Sequence, residues 1–162
     1  MYRDNPIIRI ANALTSVSID DFENRLRLQK IGFLAQEIGA NTGFAFNWYR
    51  KGPYSPSLTR MFYAADELGM LRLARVELNR SESAVAKALK ELLGDDIENP
   101  RALELIASVW YLLPKRSLSK REIEQVLEVL VEQKPQFNRD ELREAMKSVL
   151  DFREKWRTNQ SS

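Results

Sequence analysis

Fifteen residues, Gly43-Phe44-Ala45-Phe46-Asn47-Trp48-Tyr49-Arg50-Lys51-Gly52-Pro53-Tyr54-Ser55-Pro56-Ser57, leave the chain little conformational choice. Phe44, Phe46 and Trp48 alternate, which places them on one face of an extended segment. Gly52-Pro53 then punctuates the strand and predicts a turn. Ser55 is an N-cap candidate, and Pro56 occupies the first helical position, where its missing N–H costs nothing. Strand, turn and helix start are thus specified within one short run.

What surrounds this run restricts the chemistry. The 162 residues contain no cysteine and no histidine. Disulfides, thiolate nucleophiles, histidine-based triads and the usual transition-metal ligand sets are therefore unavailable. Carboxylates and lysines remain, so a carboxylate- or metal-dependent enzyme is the least favoured reading; no catalytic residues and no cofactor are expected, and the chain reads as a non-enzyme. An apolar content of 44% is enough for a core. The longest apolar stretches, such as Val109-Trp110-Tyr111-Leu112-Leu113, are far too short to span a bilayer. Arg3, Asp4 and Arg9 interrupt any signal-like region, so a cytoplasmic location with no membrane partner is expected. The formal net charge of +2 is low for a strongly basic nucleic-acid binder. A local patch remains open, because phosphate binding depends on the distribution of charge.

Helix signals dominate the rest. Asn5-Pro6 opens a helix to about residue 14. Asp20 and Glu23 have capping-box spacing before a helix over 21–38 with an apolar stripe at Ile31, Leu34, Ala35 and Ile38, closed by Gly39. The aromatic strand is expected over 44–50 and the Ser55-Pro56 helix through Leu68, stopped by Gly69. Leu71, Leu73, Val76 and Leu78 alternate and predict a second strand over 70–78. A clear hairpin wing is missing from the pattern, and Asn79-Arg80-Ser81 is too short to settle whether one forms. Ser81 or Ser83 is expected to cap a helix to Leu93, ended by Gly94. Further helices follow from Asn99-Pro100, from Ser119 with Glu122, and from Asn138 with Glu141 to about Trp156. The tail from Thr158 to Ser162 is expected to fray.

Leu28-Gln29-Lys30-Ile31 on a helix, followed by Tyr49-x-x-Gly52-Pro53-Tyr54-Ser55-x-x-Leu58, resembles the uncharacterised YwgA-type proteins. Lys134-Pro135-x-Phe137 before an acidic helix start fits the same pattern, so the likeness runs over about residues 22–150. More distantly the chain is similar to the SocA-like (Panacea) antitoxin-associated domain. The resemblance implies a fold rather than an activity.

The candidate sites follow from charge and helix ends. Arg50, Lys51, Ser55 and Ser57 surround a helix N-terminus that could hold a phosphate, although Ser55 could simply cap. Thr59 and Arg60 lie on the outer face of the same helix with Tyr63, Asp66 and Glu67, and could reach base edges. Arg72 and Arg75, with Arg80, could grip phosphates from a wing or merely protect a strand edge. Lys115-Arg116-Ser117-Leu118-Ser119-Lys120-Arg121 is the densest basic run. Lys115, Arg116, Lys120 and Arg121 could bind nucleic acid or an acidic partner, or be a solvated loop. Asp95, Asp96 and Glu98, and separately Asp140, Glu141 and Glu144, are the best carboxylate clusters, and no metal site is expected from them. The Phe44, Phe46, Trp48 stripe could stack unpaired bases but reads better as core.

Together these features predict one compact, mainly α-helical unit. Residues 21–80 form a winged-helix-like part with a small β element, packed on a helical bundle over 81–157. The expected function is non-enzymatic DNA binding or regulation, with double-stranded DNA as partner. A protein-interaction module, antitoxin-like or accessory, is the alternative. A homodimer is expected, and Leu103, Ile106, Trp110 and Leu113 are assigned either to the core or to its interface.

Overall fold

The structure, a computed structural model, describes residues 5–161. It is mainly α-helical with one small antiparallel sheet among those residues. In order come α1 (Pro6–Leu14), α2 (Phe22–Ile38), β1 (Asn47–Tyr49), β2 (Gly52–Tyr54) and α3 (Pro56–Glu67). Then follow α4 (Arg80–Leu93), a 3-10 turn (Gly94–Glu98), α5 (Pro100–Leu112), α6 (Lys120–Gln133) and α7 (Arg139–Ser161). The chain divides into two compact units, the first ending at Glu104 and the second beginning at Leu105.

The helix ends follow the local signals closely. Asn5, Ser55 and Ser119 each accept a backbone N–H as N-caps, and Pro6 and Pro56 sit at the first helical positions. Ser119 with Glu122 and Asn138 with Glu141 are reciprocal boxes. The α2 cap is Asp21, one residue past the expected Asp20, and its carboxylate accepts the Asn24 N–H at 2.8 Å. α7 runs on to Ser161 because no glycine or proline interrupts it after Trp156. The fraying expected from Thr158 is not seen there, and Ser162 lies outside the described residues.

α2 is the axis of the first unit: α1, α3, α4, β2 and the 3-10 turn all pack on it. Every residue from Arg27 to Ala35 is buried, so the expected stripe widens into a full surround. Gly32 is needed for this, since a Cβ there would stand 2.6 Å from the Leu58 Cδ2 of α3. Full burial forces the polar residues of α2 to find partners inside. Arg27, 5% exposed, donates to the Ile97 carbonyl, to Asn24 Oδ1 and to Thr15 Oγ1, and pairs with Glu98 at 3.1 Å. Nearby, Arg9 of α1 makes two hydrogen bonds, 2.9 and 2.6 Å, to the buried carboxylate of Glu82. Those bonds hold the Glu82 carboxyl below its ordinary pKa, against the opposing effect of burial.

The second strand expected over 70–78 does not form. The Asn12 carboxamide donates to the Leu71 carbonyl (3.0 Å) and accepts the Leu73 N–H (3.1 Å). The backbone groups that a neighbouring strand would pair with are taken by a side chain instead. Asn79-Arg80-Ser81 is likewise no wing. Asn79 caps α4 in a reciprocal box with Glu82, displacing the caps expected at Ser81 or Ser83.

In the second unit α6 and α7 pack against each other as an antiparallel pair. Leu127 and Leu130 of α6 are buried, as are Leu142, Ala145, Met146 and Val149 of α7. Ile106, Trp110 and Leu113 are also buried within the chain, and so is Leu103 in the first unit. That stripe belongs to the core and needs no second copy to cover it. Arg153 stacks 4.5 Å from the Trp110 ring and donates to the carbonyls of Trp110, Leu113 and Pro114. It thereby satisfies the C-terminal end of α5.

Candidate aromatic and cationic groove

The site is built on the β1–β2 hairpin and on what holds it. Tyr49 pairs with Gly52, Trp48 with Pro53 and Asn47 with Tyr54, so Arg50 and Lys51 form the turn. Gly52-Pro53, expected to be the turn, lies within β2. Gly52 supplies the one left-handed conformation the tip requires, with φ of 94°. Pairing covers only three residues of each strand, far fewer than a stable isolated hairpin has. The remaining hold comes from α2.

Gln29 acts as a surrogate strand. Its carboxamide accepts the Ser55 N–H at 2.9 Å and donates to the Ser55 carbonyl at 3.0 Å. Seven residues on, and therefore on the same face of α2, Gln36 does the same for Phe44, at 2.8 and 2.7 Å. The two glutamines bracket the extended segment from 44 to 55. Between them the fully buried Lys30 donates to the Pro53 carbonyl at 2.6 Å. The Leu-Gln-Lys and Gly-Pro-Tyr-Ser motifs meet here. Phe44, Phe46 and Trp48 are half-buried and alternate with exposed Ala45, Asn47 and Tyr49, and Phe46 meets Phe33 edge-on at 5.2 Å. The stripe is the more covered face of the segment, as its alternation suggested, but it is only half-buried and does not join the fully buried core.

Beside the hairpin lies an open groove of about 380 Å³ between α2, the hairpin tip and α3. Four aromatic rings line it: Phe22, Tyr49, Tyr54 and Tyr63. Phe22, Tyr49 and Tyr63 are roughly half exposed, at 57%, 45% and 46%, an unusual amount of ring surface for one small region. Tyr49 and Tyr54 meet edge-to-face at 5.2 Å. Arg25, Arg50 and Lys51 bring positive charge, and no carboxylate is among the lining side chains. Phe22, Arg25, Leu26, Gln29 and Lys30 reach the groove because they follow helical i, i+3, i+4 spacing along α2.

Of the candidate residues, Arg50 and Lys51 line this groove. Ser55 does not serve an anion there: it is fully buried, its Oγ accepts the Leu58 N–H, and Ser57 Oγ lies 3.0 Å away. Thr59 lines the groove, but its hydroxyl accepts from Gln29 at 2.7 Å and donates to the Tyr54 hydroxyl at 2.8 Å. It is a link in an internal network and is not presented for reading base edges. Arg60 is exposed on α3 outside the groove. Arg72 donates to the Val17 carbonyl at 3.1 Å, and Arg75 pairs with Glu77 in an exposed loop.

The basic run belongs to the second unit and is partly neutralised within it. Arg116 pairs with Glu122, and its hydrogen bond pulls the Glu122 carboxyl down to about 2. Lys115 and Arg116, with Arg153 and Arg157, line a separate hollow of about 250 Å³ that also contains Glu154. Lys120 and Arg121 are exposed in the first turn of α6 and lie outside that hollow. Among the described residues, no three His, Cys, Asp or Glu side chains are grouped to hold a metal, and no helix is long and apolar enough to cross a membrane.

Sequence reasoning missed Phe22, Arg25, Gln36 and Arg153 as working residues. The helical spacing from Phe22 to Lys30 was the available signal for the first two. The seven-residue interval between Gln29 and Gln36 was the signal for the third.

Comparison with protein-family models, with curated proteins and with solved structures finds no match for this chain.

Proposed function

We propose that this chain is a non-enzymatic interaction module that acts through the aromatic and cationic groove of its first unit, in the manner of a regulatory or accessory factor. The observation that carries this reading is the groove itself, lined by four aromatic rings and four basic side chains, of which Lys30 is buried against the Pro53 carbonyl, and by no carboxylate. Exposed rings beside arginine are the residue types that anchor protein contacts. No carboxylate lines the groove to act as a general base or a metal ligand. Membership of the YwgA-type family, and a distant relation to the SocA-like domain, are part of the same proposal.

Duplex recognition is the competing reading, and less supports it. The strand that would precede a wing is absent, Ser55 is buried, and Thr59 is engaged internally. Exposed Arg60 and Lys51 remain the residues through which it would act.

Fluorescence-anisotropy titration of the full chain against duplex and single-stranded oligonucleotides, at low and physiological salt, separates the two. The expected result is no salt-sensitive duplex binding. Duplex affinity that falls steeply with salt, and that Arg60→Ala and Lys51→Glu both lower, would replace the interaction-module reading with the DNA-binding one.

A further inference from the structure

We infer that the groove accepts a short acidic peptide segment carrying one or two bulky apolar side chains, with these seated among the rings and the flanking carboxylates meeting Arg25 and Lys51. The inference rests on the interaction-module reading and names its ligand.

Three observations converge on this chemistry. First, the groove offers mainly ring faces and edges, and its volume of about 380 Å³ suits one or two side chains rather than a long polymer. Second, its charge has one sign. Arg25, Arg50 and Lys51 line it without a carboxylate, so an acidic segment is favoured and a basic one repelled. Lys51 sits at the hairpin tip and Arg25 on α2, so the cations flank the rings from two different elements. Third, the surroundings turn acidic. Asp21 and Glu23 are exposed on either side of Phe22 in sequence, and Asp66 and Glu67 are exposed at the end of α3. These carboxylates repel any anion that extends beyond the groove, so they weigh against a long polyanion more than against a segment short enough to keep its acidic groups beside Arg25 and Lys51. The edge-to-face pair Tyr49–Tyr54 also differs from the parallel platform on which successive bases stack.

The floor is prepared for this. Tyr54 is held by its hydroxyl to Thr59, Thr59 by Gln29, and Gln29 by the Ser55 backbone. Little order remains to be imposed on that ring when a ligand arrives.

The test uses the full chain and a fluorescein-labelled peptide in which a central Phe-Leu pair is flanked by glutamates. Three competitors accompany it: the same peptide with Ala-Ala at the centre, the same peptide with lysines for glutamates, and an oligothymidylate. The acidic anchored peptide is expected to bind, with at least tenfold loss on replacing either its anchor or its charge. Tyr63→Ser and Lys51→Glu alter exposed side chains, and each is expected to weaken binding about tenfold while leaving the circular dichroism and melting curve unchanged. Equal affinity for the alanine or lysine peptides, or no binding to any peptide, overturns the proposed ligand. Tighter binding of the oligothymidylate, lost in the same variants, assigns the groove to nucleic acid and overturns it too. Chemical crosslinking of the full chain in native extract then tells the two failures apart. A partner still captured by the Tyr63→Ser, Lys51→Glu double variant leaves the interaction module standing and removes the groove. Loss of that partner in the double variant keeps the groove and removes only the acidic segment.

Discussion

The two units each contain a hairpin, and they hold it in opposite ways. In the first, a β-hairpin of three paired residues per strand is clamped by the side chains of Gln29, Lys30 and Gln36, projecting from α2. In the second, the α6–α7 hairpin joins two long helices through an apolar seam of Leu127, Leu130, Leu142, Ala145, Met146 and Val149, and its polar ties, Arg139–Glu128 and Arg143–Glu124, lie on the outside. Position matters more than charge here. A neutral carboxamide bonded to buried backbone guards against an unsatisfied donor and acceptor, which is expensive. An exposed ion pair competes with water for every bond it makes and adds little. Residues that look strongest on paper are therefore the weaker ties in this chain.

The sharpest way to break the comparison is Gln29→Leu. It fits the volume but strands the Ser55 N–H and carbonyl and removes a partner from Thr59. A loss of about 3 kcal/mol is expected from two orphaned buried groups. Urea unfolding followed by circular dichroism measures it. Hydrogen exchange adds locality, since amides over residues 44–55 should lose protection before those of α6 and α7 do. Uniform loss across both units would show that the clamp is not local to the hairpin.

Glu82→Gln tests whether burial also raises the worth of an ion pair. The variant weakens two bonds from Arg9, and a loss of about 2 kcal/mol is expected at neutral pH. Because the folded state holds the Glu82 carboxyl below its reference value of 4.5, the wild-type advantage is fully present above that value. It shrinks as pH falls below 4.5 through the depressed folded pKa, while the Gln variant has no such proton to take up. Parallel melts of the two proteins across that interval should converge. Curves that stay equally far apart would mean the pair contributes through packing alone.

Much of this was legible in advance, and the parts that were not share a cause. Helix starts at Asn5-Pro6, Ser55-Pro56 and Asn99-Pro100, and the boxes at Ser119 and Asn138, could be read because a cap is a matter of neighbours in sequence. The alternation of Phe44, Phe46 and Trp48 survived even where pairing did not extend to it. The strand over 70–78 was misread because its backbone partner is a lone side chain, Asn12, far away in sequence. The centrality of α2 was hidden because Arg27, Gln29 and Lys30 look like a solvated face until their internal acceptors are known. The groove was half visible. Arg50 and Lys51 stood out as charge beside a turn, whereas Phe22 and Arg25 acquire meaning only once α2 is seen to face the hairpin tip.

Arg153→Met asks whether the second unit has any internal polar tie of the kind found in the first. Its guanidinium bonds three carbonyls at the end of α5 and covers Trp110, and methionine keeps the apolar stem but none of those bonds. A loss of about 1 kcal/mol is expected, because these carbonyls lie near a helix end that water can partly reach. A change in the near-ultraviolet dichroism of the tryptophans should accompany it. An effect as large as that of Gln29→Leu would erase the distinction between the two hairpins.

The smallest effect is expected from Arg139→Gln combined with Arg143→Gln. The arginines hold the Glu128 and Glu124 carboxyls below their ordinary pKa through hydrogen bonds, yet both pairs are solvent-exposed. Such carboxylates rehydrate readily once the arginines are gone, so the desolvation that made Gln29 costly to remove never arises. The double variant should melt indistinguishably from wild type at physiological salt, and any deficit at low salt should vanish as salt is added. Melting curves at several salt concentrations decide this. A deficit that persists at high salt would mean the outer arginines pack their stems on the α6–α7 seam, and the second hairpin would then depend on buried contacts as heavily as the first.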